Sequence, residues 1–99
     1  MTQAAQFPAG EDPVKNMTEL VTEIAQALVD DPASVSVQAI ADGDATVIRL
    51  RVAQSDVGKV IGKQGRTARS MRTILSAASM KFRHRFSLDI VEQSDSPTP

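Results

Sequence analysis

Apolar residues recur at helical spacing in the stretch EDPVKNMTELVTEIAQALVDDP, which covers residues 11–32. The residues that fall on one face of this predicted helix are Met17, Leu20, Val21, Ile24 and Leu28. Asp12 can cap the N-terminus of the helix, and Pro13 suits its first position. The sequence Asp30-Asp31-Pro32 predicts the end, because a residue that precedes proline is disfavoured in the helical region.

Strict alternation of apolar and polar residues follows, and this pattern is typical of β-strands. The alternating apolar positions of two successive runs are Val35, Val37 and Ala39, then Ile48, Leu50 and Val52. An Asp42-Gly43 turn signal separates the two runs, so the segment predicts an antiparallel hairpin. Near the C-terminus, a third run predicts a closing strand through Phe86, Leu88 and Ile90.

Two helices are predicted between the hairpin and the closing strand. Ser55 can cap a short helix through Ile61, the sequence GKQG (Gly62–Gly65) interrupts it, and a longer helix runs from Arg66 to about Lys81. The predicted apolar stripe of the longer helix contains Ala68, Met71, Ile74, Leu75, Ala78 and Phe82. The order helix-strand-strand-helix-helix-strand predicts an α+β domain with helices packed on one face of a three-stranded sheet.

A chain of 99 residues has the size of one small domain. We expect a flexible extension over residues 1–11, a folded domain over residues 12–92 and a disordered tail over residues 93–99, because both ends are small and polar. Cysteine is absent, which excludes disulfides and thiolate metal sites. The chain has no apolar run of membrane-spanning length and no secretory h-region, so a cytoplasmic location is predicted.

Charge is distributed unevenly along the chain, although the net charge is only −1. Residues 55–85 carry a charge of +7 and the remainder carries −8. The cations of the basic segment are Lys59, Lys63, Arg66, Arg69, Arg72, Lys81, Arg83 and Arg85. Segregation on solvated faces would be one explanation, but the basic segment coincides with the glycine-rich stretch VGKVIGKQGRTA, which favours binding of a phosphorylated ligand.

The glycine spacing excludes two nucleotide-binding motifs. A P-loop needs four residues between its first glycine and the Gly-Lys pair and then a serine or threonine, whereas Gly58 and Gly62 are separated by three residues and Gln64 follows Lys63. The dinucleotide fingerprint fails as well, because the spacing is G-x3-G-x2-G and no βαβ unit surrounds it. A tight turn between helices would explain Gly62 and Gly65 but not the adjacent cations.

A helix-GxxG-helix clamp for a nucleic-acid backbone explains both the glycines and the cations. Glycines allow a sugar-phosphate chain to approach the backbone, and the start of the following helix favours a phosphate. Apolar residues before the loop would line a groove for unstacked bases. The predicted RNA-binding residues are Lys59, Val60, Ile61, Gly62, Lys63, Gln64, Gly65, Arg66, Arg69 and Thr73.

The stretch VGKVIGKQGRTARSMR resembles the V-I-G-x-x-G core of KH domains, and the element order is similar to their type II arrangement. More narrowly, ELVTEIAQALVDDPASVSV, the hairpin, VGKVIGKQGR and the closing strand resemble the KhpA family of small single-KH proteins, from about Val14 to Val91. The segment before Val14 and the SDSPTP tail depart from this pattern. The resemblance implies single-stranded RNA binding, self-association as a homodimer, and pairing with a KhpB-type RNA-binding partner. It also implies a bacterial RNA chaperone role in cell-shape and envelope regulation.

An enzyme is not predicted. His84 is the only histidine, so neither a His-based triad nor a histidine metal cluster can form within one chain. No cofactor, metal or small-molecule substrate is therefore expected. Two alternatives to RNA binding remain: a protein-interaction module that uses the Ile61 to Thr73 surface, and a helix-hairpin-helix element that would prefer duplex DNA.

Overall fold

The computed structural model describes residues 12–93, and the elements follow the predicted order. The regular elements are α1 (Pro13–Leu28), β1 (Ser36–Asp42), β2 (Ala45–Ala53), α2 (Val57–Ile61), α3 (Arg66–Phe82) and β3 (Arg85–Gln93). Single 3-10 turns lie at Pro32–Ser34, Gln54–Asp56 and Lys63–Gly65. None of the helices within residues 12–93 is long and apolar enough to cross a membrane. The predictions for residues 1–11 and 94–99 fall outside the described range.

The three strands form one mixed sheet in the order β1-β2-β3. β1 and β2 pair antiparallel and close with Asp42 opposite Ala45, which confirms the hairpin. Gly43, the first residue of the two-residue connection, has φ +64°, as a type II′ turn requires at that position. β3 pairs parallel with β2, so α2 and α3 form the crossover that parallel strands need.

The core lies between the helices and one face of the sheet. Alternate side chains of β2 point to the helices, and Ile48, Leu50 and Val52 have no exposed surface. The other core residues are Val21, Ala25, Val29, Val60, Met71, Leu75, Ala78, Phe86 and Leu88. Because every helix packs on the same face of the sheet, the structure confirms the α+β, type II KH-like fold.

The start of α1 agrees with the sequence-based prediction, and the start of α2 differs from it. An Asp12 carboxylate oxygen accepts the backbone N–H of Lys15 at 3.2 Å, and Pro13 opens α1, as predicted. The predicted Ser55 cap of the short helix is wrong. Ser55 lies within a 3-10 turn, and Asp56 precedes α2 without capping it.

Three further details differ from the sequence-based predictions. Ile74, assigned to the apolar stripe of α3, is 43% exposed because it lies at the edge of the face that packs on the sheet. Leu28 is 39% exposed, and the next residue, Val29, occupies the buried position instead. β3 includes Gln93, so the folded domain extends one residue beyond the predicted boundary at residue 92.

Candidate nucleic-acid interface

The loop from Gly62 to Gly65 connects α2 to α3 through backbone conformations with positive φ angles. The φ angles are +81° at Gly62, +55° at Gln64 and +74° at Gly65. Within this turn, the Gly62 N–H donates to the Gly58 carbonyl at 2.8 Å, and the Gly65 N–H donates to the Gly62 carbonyl at 3.1 Å. The loop is therefore a hydrogen-bonded turn with a defined shape.

The glycines of the stretch are not equivalent. A Cβ atom at Gly62 would lie against the Thr67 hydroxyl, 2.8 Å from Thr67 Cβ and 2.9 Å from Thr67 N. A Cβ at Gly65 would meet open space, so only the positive φ favours glycine there. Gly58 has neither constraint. Gly62 thus has two independent reasons to be glycine, whereas Gly65 has one.

Buried residues anchor the two helices that hold the loop. Val60 in α2 has no exposed surface, and Ala68 and Met71 in α3 are 4% and 3% exposed. The prediction that Val60 lines a groove is wrong, because its side chain packs into the core. Ile61 is half-buried and remains accessible beside the loop. The loop consequently projects from a packed base formed by α2 and α3.

A buried carboxylate ties the start of α2 to the end of α1. The Asp56 side chain is 1% exposed, and its two oxygens accept the backbone N–H groups of Asp30 at 3.2 Å and Asp31 at 3.1 Å. Lys59 Nζ lies 3.6 Å from Asp56 and 3.3 Å from the Asp30 carboxylate. This arrangement fixes α2, and with it the loop, against the α1–β1 connection.

Asp56 and Lys59 both have shifted pKa values. Desolvation raises the pKa of Asp56, but the hydrogen bonds from Asp30 and Asp31 and the charge of Lys59 outweigh it, so the pKa lies below its usual value. The pKa of Lys59 is raised, chiefly by its hydrogen bond and charge attraction to Asp30. Lys59 is therefore already paired with carboxylates, unlike the other cations predicted to contact RNA.

The remaining predicted contacts lie on one exposed surface around the loop. Lys63, Gln64, Arg66 and Arg69 are exposed, and none of the three cations pairs with a carboxylate within residues 12–93. In the same range, the backbone N–H groups of Lys63 and Gln64 have no acceptor. They lie just before α3, where the helix dipole adds positive potential. Thr73 is also exposed, and its hydroxyl donates to the Arg69 carbonyl at 3.0 Å.

The sequence did not identify a groove between α3 and β3. A cavity of about 220 Å³ lies along this seam, and its lining residues are Arg72, Leu75, Ser76, Phe86, Ser87 and Leu88. Arg72 Nη2 donates to the Leu88 carbonyl at 3.3 Å across the seam. The sequence contained one weak signal for this groove, which is the spacing of Arg66, Arg69 and Arg72 by three residues. Because three residues are less than a full helical turn, each arginine of such a series lies further around the helix, toward one neighbouring element.

Within the described residues, no group of three or more His, Asp or Glu side chains could hold a metal ion. His84 instead shares a 2.7 Å hydrogen bond between its Nε2 and the Thr46 hydroxyl, and its ring packs edge-on against Phe86. The chemistry available at the loop is hydrogen bonding and charge attraction to an anion.

Comparison with known proteins identifies the family. The model of the family described as KhpA/KhpB, KH domain, matches residues 18–90. The chain is 49% identical over 76 residues to the RNA-binding protein KhpA of Halalkalibacterium halodurans, covering 77% of this chain and 100% of the relative. It is 48% identical over 75 residues to KhpA of Caldanaerobacter subterraneus, covering 76% of this chain and 100% of that relative.

Solved structures show the same fold at greater distance. The complex of Era with MgGDPNP and nucleotides 1506–1542 of 16S ribosomal RNA superposes with a TM-score of 0.52 at 16% identity. The alignment covers 93% of this chain and 36% of the Era chain. Era of Aquifex aeolicus bound to GDP and AlF4− has the same TM-score and identity, and 34% of that chain is covered. At this identity the likeness concerns the fold alone, over about a third of Era.

Proposed function

The chain belongs to the KhpA/KhpB family of KH domains, and from this premise we propose that it binds single-stranded RNA across the Gly62–Gly65 loop without catalysis. The observation that carries the proposal is the loop itself. Two backbone N–H groups without acceptors, at Lys63 and Gln64, lie beside cations that have no carboxylate partner within residues 12–93. The relatives named KhpA are described as RNA-binding proteins, which supports the same conclusion.

The loop would hold the RNA by its backbone. The Lys63 and Gln64 N–H groups would donate to phosphate oxygens, and the absence of side chains at Gly62 and Gly65 lets the strand come close. Arg66 and Arg69, one turn apart, would donate to neighbouring phosphates or bases. Ile61 would contact an unstacked base. These contacts are mainly to phosphate and depend little on sequence.

One such site would bind weakly and with a modest salt dependence. About four nucleotides would cross the loop, as in KH domains generally. If three phosphates are neutralised, the logarithm of affinity should fall with the logarithm of salt concentration with a slope of about −2, at ~0.7 per phosphate for single strands. Higher affinity would come from linking two sites through self-association or a partner, because the second contact becomes intramolecular.

Replacement of Lys63 and Gln64 by aspartate tests the clamp. Both side chains are exposed, so the K63D/Q64D variant should fold like the parent while its aspartates repel phosphate from the loop. We expect binding to mixed-sequence single-stranded RNA at low salt to be lost in a filter-binding assay. Circular dichroism and thermal unfolding should stay close to those of the parent.

A matched control removes the effect of net charge. Lys15 and Gln26 are exposed on α1, and K15D/Q26D changes the net charge by the same amount as K63D/Q64D. This control should retain RNA binding. The clamp assignment is wrong if a folded K63D/Q64D variant binds RNA as well as the parent does. Preference for duplex DNA by the parent would support the helix-hairpin-helix alternative.

The exposed side of α3 favours a second role in protein association. Ile74 is 43% exposed and Met80 is 81% exposed, although both are large apolar residues. The small residues Ser70 and Ala77 lie about one turn from Ile74 on the same exposed stripe, so a second helix could approach closely there. A second copy of the chain would bury the same residues on both sides of a two-fold axis.

The family resemblance extends this proposal to a KhpB-type RNA-binding partner, a bacterial RNA chaperone role in the cytoplasm, and cell-shape and envelope regulation. Copurification with tagged KhpB from cells that express both proteins would test the pairing. Crosslinking in cells followed by sequencing of the bound RNA would identify the transcripts. A chain that crosslinks to no RNA but still self-associates would favour the interaction-module alternative.

A further inference from the structure

A second basic cavity lies at the end of α3 opposite the Gly62–Gly65 loop. It has a volume of about 280 Å³, and its lining residues are Asp44, Ser79, Met80, Arg83, His84 and Arg85. α3 contains 17 residues and is therefore about 25 Å long at 1.5 Å per residue. Neither the glycine motif nor the clamp accounts for the cations at this end.

The backbone at the end of α3 is in a conformation that disfavours arginine. Arg83 has φ +54° and ψ +41°, which is the left-handed region where glycine is usual after a helix. The conformation closes the helix, because the backbone N–H groups of Arg83 and His84 both donate to the Ser79 carbonyl, the second at 3.2 Å. The neighbouring His84 is fixed by its 2.7 Å hydrogen bond to Thr46, so the arginines on either side of it start from an anchored segment.

The charge of the cavity suits a singly charged anion. Within residues 12–93, neither Arg83 nor Arg85 forms an ion pair, in contrast to Arg49, which lies 3.1 Å from Asp89. Asp44 also lines the cavity, so two arginines face one carboxylate and leave a net positive charge of one. A phosphodiester carries one negative charge and accepts the hydrogen bonds that arginine donates.

The position of the cavity identifies which phosphodiester could reach it. The groove of about 220 Å³ between α3 and β3 ends at Ser76 and Phe86, and the second cavity begins at Ser79 and Arg85. The two cavities thus follow one another along the α3–β3 seam. Relying on the proposed RNA-binding function, we propose that Arg83 and Arg85 form an accessory phosphodiester subsite for the RNA strand held at the loop.

This subsite sets a minimum RNA length. The 25 Å length of α3 corresponds to about seven nucleotides at ~3.4 Å per stacked nucleotide. Because the loop itself holds about four nucleotides, a tetranucleotide bound there leaves none for Arg83, whereas a dodecanucleotide can span both sites. Loss of Arg83 and Arg85 should therefore weaken binding of the long RNA only.

The test compares the parent with the R83Q/R85Q variant on fluorescein-labelled oligoadenylates of four and twelve nucleotides, by fluorescence anisotropy at 50 and 200 mM salt. One phosphate contact at ~0.7 corresponds to about a 2.6-fold change in affinity over this fourfold salt range. We expect the salt-induced loss of dodecanucleotide affinity to be about 2.6-fold smaller in the variant than in the parent. Tetranucleotide binding should be unchanged.

The K15Q/R51Q variant removes two cations from other parts of the domain and serves as the control, which should keep the parental salt dependence. The subsite is overturned if R83Q/R85Q and the parent bind the dodecanucleotide with the same affinity and salt slope. It is also overturned if the variant loses affinity equally for both lengths, because the loop would then be affected. If the parent binds neither oligonucleotide, the RNA-binding function itself fails together with the subsite.

Discussion

Replacing the three glycines of VGKVIGKQG one at a time by alanine separates conformational strain from steric exclusion. Gly58 lies within α2, has an ordinary φ angle and has open space where a Cβ would stand. Gly65 has the same open space but a left-handed φ. Gly62 combines a positive φ with a collision against Thr67. The three variants therefore add one methyl group each in three different physical situations.

The structure gives an expected change in the free energy of unfolding for each variant. G58A should stabilise the domain by about 0.5–1 kcal/mol, because alanine is favoured over glycine inside a helix. G65A should lower the free energy of unfolding by about 1–2 kcal/mol, because the left-handed backbone region is unfavourable for an L-residue by this amount. At Gly62, φ +81° and ψ +172° belong to a region used almost only by glycine, which costs about 1–3 kcal/mol for other residues. Since the Thr67 backbone nitrogen must also move, the total for G62A should reach about 3 kcal/mol or more.

Urea and thermal unfolding followed by helical circular dichroism would measure these differences, since the chain has no tryptophan or tyrosine. A change of 1 kcal/mol shifts the Tm of a domain this size by roughly 4–8 °C. G62A should therefore melt roughly 12–24 °C below the parent, and G58A slightly above it. A G62A variant within about 1 kcal/mol of the parent, or a G58A variant less stable than G65A, would refute the assigned loop geometry.

Two further predictions concern the buried carboxylate and the exposed side of α3. Because the pKa of Asp56 is lowered on folding, its contribution to stability is complete above the unfolded pKa of about 4 and is lost as pH falls through the folded pKa. D56N should remove this part of the loss of stability at acid pH. D89N, which changes an exposed ion pair, should leave most of that loss in place. If D56N and the parent lose stability equally as the pH falls, the assignment is contradicted. I74D should lower the proposed self-association, as measured by analytical ultracentrifugation, while leaving tetranucleotide affinity unchanged; self-association equal to that of the parent would exclude this face of α3.

The order and type of the elements could be predicted because they depend on local spacing. The positions Ile48, Leu50 and Val52 alternate at the period of a strand, and all three are fully buried in the structure. Within the loop, the assignment of special roles to Gly62 and Gly65 also followed from neighbouring residues. Errors occurred where side chains had a choice of partner. Ser55, for example, was predicted to cap the short helix but lies within a 3-10 turn, and the neighbouring Asp56 bonds to residues 25 and 26 positions away.

The sequence alone determined the helix and strand pattern, the GxxG loop and the cations around it, because these properties are set by residues within one or two turns of each other. Only the tertiary structure decided which of those residues are available. Packing buries Val60, and the approach of Asp30 pairs Lys59 with carboxylates. The parallel pairing of β3 with β2 brings Phe86 and Leu88 beside α3 and forms the groove. Such contacts join residues far apart in sequence, and no local spacing encodes them.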